Sequence, residues 1–413
     1  MLKRITILLI LGTIKVGTAQ NNINTPYSLF GLGVENNAAT GGLTGLGNSG
    51  IAQKTYDEIN IYNPANLANI QQESFLQDFG FSMLNSKLKN YNTTQNTTKG
   101  NVSHITFAFP LSRGWGMSFG LLPYTTTGYK IDLENYIEGS TNTYVTRLVG
   151  TGGLNKFYVS SGIKVTNRLS LGLDFTALFG SINQNSELYV NYLVDVQDEN
   201  HYSGVKLKTG FQYTLLSNQK NETTLGGTLD LPASLSGTQT RTSYKTSSAG
   251  AITYLENAVE NELDDFELPL SYGIGLSSSF KNFTTNFDYK KLFWQNTNQQ
   301  DNSSRYTNQS IYAFGLEYKQ YNKDANFFRQ VKYRFGMNYN TGFLNISNQQ
   351  IDHYFASLGL GIPINKEGRN HLNISYSYGK EGNTSGRLVQ ENYHKIKINL
   401  SFNGNWFQKR KIL

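Results

Sequence analysis

Residues 328–341 read FRQVKYRFGMNYNT, and their alternation decides the fold class. Val331, Tyr333, Phe335, Met337 and Tyr339 fall on one side. Lys332, Arg334, Gly336, Asn338 and Asn340 fall on the other. A period of two is the signature of an extended strand with one apolar and one polar face. The last strand-like stretch repeats it, with Ile396, Ile398, Leu400 and Phe402 against Lys395, Lys397, Asn399 and Ser401. A soluble sandwich alternates as well, so number and length of strands must separate the two classes.

Fourteen such segments can be read, starting near Phe75, Asn101, Gly114, Asn155, Leu169, Tyr202, Glu222, Leu268, Phe283, Gln309, Phe328, Ile351, His371 and Glu391. Most are longer than the five or six residues of ordinary soluble strands and suit a tilted crossing of a bilayer. Links after segments 2, 4, 8 and 12 are tight (PLSRG, TNR, KN, NKEGRN). Those after odd-numbered segments are mostly long, including 126–154, 184–201 and 232–267. Short turns at one end and long loops at the other are expected of an up-and-down transmembrane β-barrel of about 14 strands. The proposed outer face is apolar (Ile105, Phe107, Trp115, Met117, Leu171, Leu173), and Asp174, Asp288, Lys290, Glu317 and Arg334 point inward, where a wet lumen tolerates them. Trp115 and Trp294 are expected in the interfacial girdles.

Composition agrees. The 413 residues include 40 Gly, 27 Tyr and 24 Phe but only 7 Pro and no Cys, and charged residues are 16%. That mixture favours strands and tight turns, marks no linker, and excludes disulfides and thiolate metal sites. The N-terminus begins with a basic Met1-Leu-Lys-Arg, continues apolar from Ile5 to Ile14 and reaches a small-residue Gly17-Thr18-Ala19. Residues 1–19 therefore read as a removed signal peptide, too short an apolar run to span a membrane. The division expected is signal peptide 1–19, an N-terminal hatch 20–73, a barrel 74–402 and a periplasmic tail 403–413. The net charge of +7 is thinly spread, densest at Lys409-Arg410-Lys411, and does not imply nucleic acid.

Residues 20–73 are rich in Gly and Ala, as in GGLTGLGNSGIA (41–52), which lets backbone pack closely inside something. Pro64 fixes a turn between Asn63 and Leu67 in NIYNPANLANI (60–70). Together with NTPYSLFGLG (24–33), GMSFGLLPYTTTGYKI (116–131) and the tail NGNWFQKRKIL, this resembles the FadL family of outer-membrane transport proteins, particularly its Bacteroidota branch. The resemblance implies a hatch inside the barrel whose Asn-Pro-Ala step is Asn63, Pro64 and Ala65. It also implies passive uptake of small hydrophobic compounds, fatty-acid-like or aromatic, through hatch movement and a lateral opening at a kinked third strand. Gly120 and Pro123 are the candidates for that kink, because Pro lacks a ladder donor. The alternative is that Pro123 simply ends strand 3 before an outer loop.

Two features depart from that pattern. The first half of 232–267 offers no greasy groove, and its second half, LENAVENELDDFE (255–267), is acidic without a basic residue. Glu260, Glu262, Asp264 and Asp265 are a candidate cation-binding loop, since hard cations favour clustered carboxylates. A solvated helical loop with Leu255, Ala258, Val259 and Leu263 inward is the alternative. The five His (104, 201, 353, 371, 394) fall in no hydrolase or metal motif, so no catalytic residue, metal or cofactor is assigned and an enzyme is not expected. Expected partners are outer-membrane lipid and lipopolysaccharide, a hydrophobic small molecule, and other outer-membrane proteins. The last of these would apply if the chain were instead a non-transporting barrel subunit of a larger secretion or barrel-assembly complex.

Overall fold

The computed structural model describes residues 25–405 apart from 37–38, 137–138, 140, 142, 190–191, 219–220, 298, 302–303, 321–326, 366–367 and 387. The segment read as a signal peptide lies outside these, as do residues 406–413 of the tail. Alternation becomes strand almost everywhere it was read. After the two-residue β1 (Val34–Glu35) come β2 (Ser74–Lys89), β3 (Thr94–Ser112), β4 (Trp115–Pro123), β5 (Thr125–Tyr136), β6 (Thr143–Lys164), β7 (Leu169–Tyr189) and β8 (Leu193–Ser217). The chain continues with β9 (Asn221–Asp230), β10 (Ala233–Thr246), β11 (Ile252–Leu268), β12 (Ser271–Phe280) and β13 (Phe283–Leu292). A small separate sheet is made by β14 (Gln300–Asp301), β15 (Ser304–Tyr306), β18 (Leu344–Ile346) and β19 (Gln349–Gln350). The remaining strands are β16 (Gln309–Tyr318), β17 (Lys332–Asn340), β20 (His353–Pro363), β21 (His371–Glu381) and β22 (Gln390–Asn405).

Neighbours in sequence pair antiparallel, and β2 pairs along its whole length with β22, from Ser74↔Asn405 to Lys89↔Gln390. The sheet therefore closes on itself as a barrel, the arrangement that satisfies strand backbone in lipid. Because β4–β5, β9–β10 and β11–β12 are each one stave briefly interrupted, the barrel has 14 staves. The alternation points as expected: on β7, Leu171, Leu173 and Phe175 are 43%, 52% and 49% exposed, whereas Asp174 and Thr176 are 7% and 8%. An inward charge moved to the outer face would cost about 2–4 kcal/mol at mid-bilayer.

Three expectations are corrected. The segments 126–154, 184–201 and 232–267 are not loops. They are mostly strand, forming the outer halves of β5, β6, β7 and β8 together with β10 and β11. Period-two alternation fades there because both faces are wet, so the sequence pattern that marks a membrane crossing stops before the strand does. For the same reason 255–267 is neither loop nor helix but the body of β11. Trp294, expected in a girdle, is buried in a short 3-10 turn, stacked on Phe343 at a ring separation of 4.7 Å.

Candidate functional site

The N-terminal segment packs against the inner wall, and its fit is set by glycine. Gly116, Gly162, Gly172 and Gly210 lie directly opposite one another on β4, β6, β7 and β8, a bare row across four staves. Into it drops the 3-10 turn Pro64–Asn69. A Cβ at Gly172 would overlap the Ala65 backbone nitrogen, and one at Gly162 the Pro64 carbonyl oxygen. Only a residue without a side chain allows that approach. Asn63 starts the turn: its Oδ1 accepts from the Ala65 N–H at 3.0 Å, and its Nδ2 donates to the carbonyls of Ile51 (2.8 Å) and Phe211 (2.9 Å). One Asn thus caps the turn and ties it to β8, while Pro64 fills the first helical position, where a missing N–H costs nothing.

A second anchor is ionic. Glu58 Oε1 accepts from Lys332 Nζ at 2.6 Å and from Arg334 Nη2 at 3.1 Å. Arg334 Nε also donates to Glu317 Oε2 at 2.6 Å, and its Nη1 donates to Asn373 Oδ1 at 2.6 Å. Burial alone would push the Glu58 carboxyl up, but Lys332 and Arg334 beside it more than offset this and hold it well below the ordinary carboxylate range. Elsewhere Asp288 Oδ2 accepts from the Gly50 and Ile51 amides (2.6 and 2.9 Å), Asp78 Oδ2 accepts from the Gly41 amide (2.9 Å), and Lys397 donates to the Ala39 carbonyl. Nearer the outer end, Tyr27, Leu32, Leu154, Leu235, Phe266 and Trp294 belong to one buried apolar cluster. The apolar surface missing from the outer segments is thus inside the barrel.

The wall has one discontinuity. Pairing of β3 with β4 stops at Ile105↔Leu121, and β5 pairs with β6 but not with β3. Residues 94–104 of β3 therefore carry a strand partner on the β2 side only. The departure occurs at Pro123–Tyr124–Thr125, where the chain goes on as β5 instead of ending the stave in a loop. The neighbouring staves carry glycines in positive φ beside it: Gly153 has φ +133° and sits against Thr125, and Gly180, opposite Leu154, has φ +157°. Gly120 lies one position before Leu121, the last residue of β4 paired with β3, facing Thr106, Ile105 and Tyr158.

Behind this gap is a cavity of about 230 Å³, apolar along Val34, Phe343, Leu344 and Ile351, and charged along Glu35, Lys99, Glu381, Glu391, Lys395 and Lys397. The cavity is separated from the gap by β1 and Asn36. Val34 and Glu35 pair with Thr126 and Thr125, the Asn36 amide donates to the Tyr124 carbonyl at 2.8 Å, and its Nδ2 donates to Thr126 Oγ1 at 2.5 Å.

Of the residues picked from sequence, Asn63, Pro64 and Ala65 meet the glycine row, while Gly120 and Pro123 border the gap. Glu260, Glu262, Asp264 and Asp265 stand exposed along β11, and Asp265 Oδ2 accepts from Ser234 Oγ at 2.8 Å. No group of three or more metal-ligating side chains converges among the described residues. Sequence reasoning missed Glu58, the glycine row and the plug Val34–Asn36. The glycines at alternate positions within apolar strands were the one available signal.

The comparisons accord with this architecture. The BamG family model matches residues 1–412. The Pseudomonas putida toluene transporter TodX superposes with a TM-score of 0.64 at 17% identity, covering 91% of this chain and 100% of that one. The Ralstonia pickettii toluene transporter TbuX gives 0.60 at 17%, covering 89% and 98%. A Pseudomonas aeruginosa FadL homologue gives 0.59 at 12%, covering 89% and 98%. At such identities the likeness is one of fold. Among curated proteins none matches in sequence.

Proposed function

The chain belongs to the BamG family, and from its geometry we propose that it is an outer-membrane barrel for passive uptake of small hydrophobic compounds, released sideways through the gap between β3 and β5. The observation that carries this reading is the coincidence of three things at one place: the wall discontinuity, an interior cavity behind it, and a three-residue plug, Val34–Asn36, held mainly by backbone hydrogen bonds to one side of the gap. A cavity of about 150 Å³ lined by apolar side chains takes up benzene, so about 230 Å³ with one apolar wall suits a single-ring compound better than a long chain. The similar structures, toluene transporters and a monoaromatic hydrocarbon channel, support the same substrate class. Nothing in the reading calls for catalysis.

In this mechanism the N-terminal segment is the hatch and the glycine row its seat. Asn36 leaves Thr126, the plug withdraws, and the ligand passes between the unpaired half of β3 and β5 into lipid. With no native Cys in the chain, a pair placed at Asn36 and Thr126 can be oxidised selectively. Uptake of a fluorescent aromatic probe by cells carrying N36C/T126C is expected to fall on oxidation and return on reduction. Equal uptake in both states would remove the gap as the exit.

A second reading is favoured by a different observation. Wall residues hold the hatch through buried charge, Lys332 and Arg334 on Glu58 and Asp78 and Asp288 on hatch amides, a costly set to break in a lumen that must open repeatedly. A permanently plugged barrel serving as a subunit of a larger outer-membrane complex would need no such opening. The cysteine pair separates the readings, because a subunit would tolerate the lock.

A further inference from the structure

Strands β6, β7 and β8 have 22, 21 and 25 residues, whereas β13, β16 and β17 across the barrel have 10, 10 and 9. About 9–11 residues suffice to cross a bilayer, so the longer staves continue for roughly 35–50 Å beyond it along their own direction. Their outer halves form one sheet in the order β5-β6-β7-β8-β10-β11. It rises from the end of the barrel opposite the tight turns at Gly114, 165–168 and Asn282, the outer end. Beyond the buried cluster at Leu235 and Phe266 no second layer of the described residues covers either face, and on the side away from β10 strand β11 carries no strand.

A single uncovered sheet needs something against it to bury its apolar groups. Its upper part exposes Tyr136, Tyr189, Tyr254 and Leu255 at 74%, 65%, 57% and 59%. Tyrosine is enriched in the cores of protein interfaces. Charge narrows the occupant. The whole chain is +7, yet Glu256, Glu260, Glu262, Asp264, Asp265 and Glu267 run along β11 with no basic residue among them. Lipopolysaccharide phosphates and a second copy of the same acidic edge are both repelled. The positive-φ bulge at Ala258 also hinders strand-to-strand pairing of two copies.

We propose that this wall is an extracellular docking surface for a second, different protein that presents a basic face, with β11 as the electrostatic rim and the exposed tyrosines as the contact. The proposal goes beyond the transport reading and holds whether or not ligand passes through the barrel.

The test uses the full chain in intact cells of its native host. A photo-crosslinking amino acid replaces Tyr254 or, as the control, lipid-facing Phe287, in otherwise native and in E260K/E262K/D264K backgrounds. Barrel folding is checked by heat-modifiable gel migration. A discrete protein adduct is expected from position 254 only, reduced about tenfold or more by the lysine background, as loss of complementary charge predicts, with an intermediate loss in E260Q/E262Q/D264N should the lysine variant fail to fold. Four results would each overturn the proposal: no protein adduct at 254, an adduct to lipopolysaccharide alone, an adduct to a second copy of the chain, or a partner adduct indifferent to the charge changes.

Discussion

Arg334 and Phe335 are adjacent in sequence and meet opposite worlds. The arginine is 5% exposed among Glu58, Glu317 and Asn373, whereas the phenylalanine faces lipid. Phe335→Arg should therefore cost about 2–4 kcal/mol of membrane insertion, seen as loss of the heat-modifiable band from membrane fractions. Arg334→Met should insert normally but strip Glu317 of its buried partner and Glu58 of one of two, a loss of about 3–5 kcal/mol, read as protease sensitivity of the N-terminal segment. Equal tolerance of both changes in membranes would refute the assignment of faces. Glu58 also makes the anchor acid-sensitive. Its carboxyl is held well below its ordinary 4.5, so its contribution is complete above that value and is lost as pH falls through the lower folded-state one. Protease protection of the segment is expected to be flat from about pH 8 to 5 and to fall only in stronger acid.

Among the elements, the 3-10 turn Pro64–Asn69 and its glycine seat show what sequence can and cannot reveal. Asn63-Pro64-Ala65 announces a capped turn, because the cap and the fixed φ are local properties. That the turn lies against Gly116, Gly162, Gly172 and Gly210 depends on the register of four staves far apart in sequence. Gly172→Val is expected to unseat the turn while leaving β7 paired, since only the inner face is altered. Amide exchange at Ala65, whose N–H is held by Asn63, should then accelerate with little change in β7. Unchanged exchange at Ala65 would mean that the seat does not hold the turn. The kink belongs to the same scale. Pro123 was visible as a place where pairing weakens, but whether a loop or a further strand followed was undetermined, because β5 lacks a clean one-sided alternation.

For the whole molecule, a segment that precedes the barrel in sequence packs against its inner wall. Deleting residues 25–73 removes every contact of that segment named above and is expected to give large, steady conductance in planar bilayers. A deletion variant that folds and stays silent would show the lumen to be closed by the staves themselves. The intact chain is expected to conduct little in the same bilayers.

Strand alternation, the count of fourteen staves, the closed barrel and the inward direction of the charges were determined by sequence alone. Each follows from the period of two and from the cost of placing charge or unpaired backbone in lipid, both of which act on short stretches. The tertiary structure decided the rest. It turned the long segments 126–154, 184–201 and 232–267 from expected loops into the acidic wall, moved Trp294 into the interior, paired Glu58 with Lys332 and Arg334 over more than two hundred residues, and brought Asn36 to the gap beside Pro123. These depend on register and on contacts between distant parts of the chain, and where both faces of a strand meet water no lipid imposes a pattern for the sequence to display.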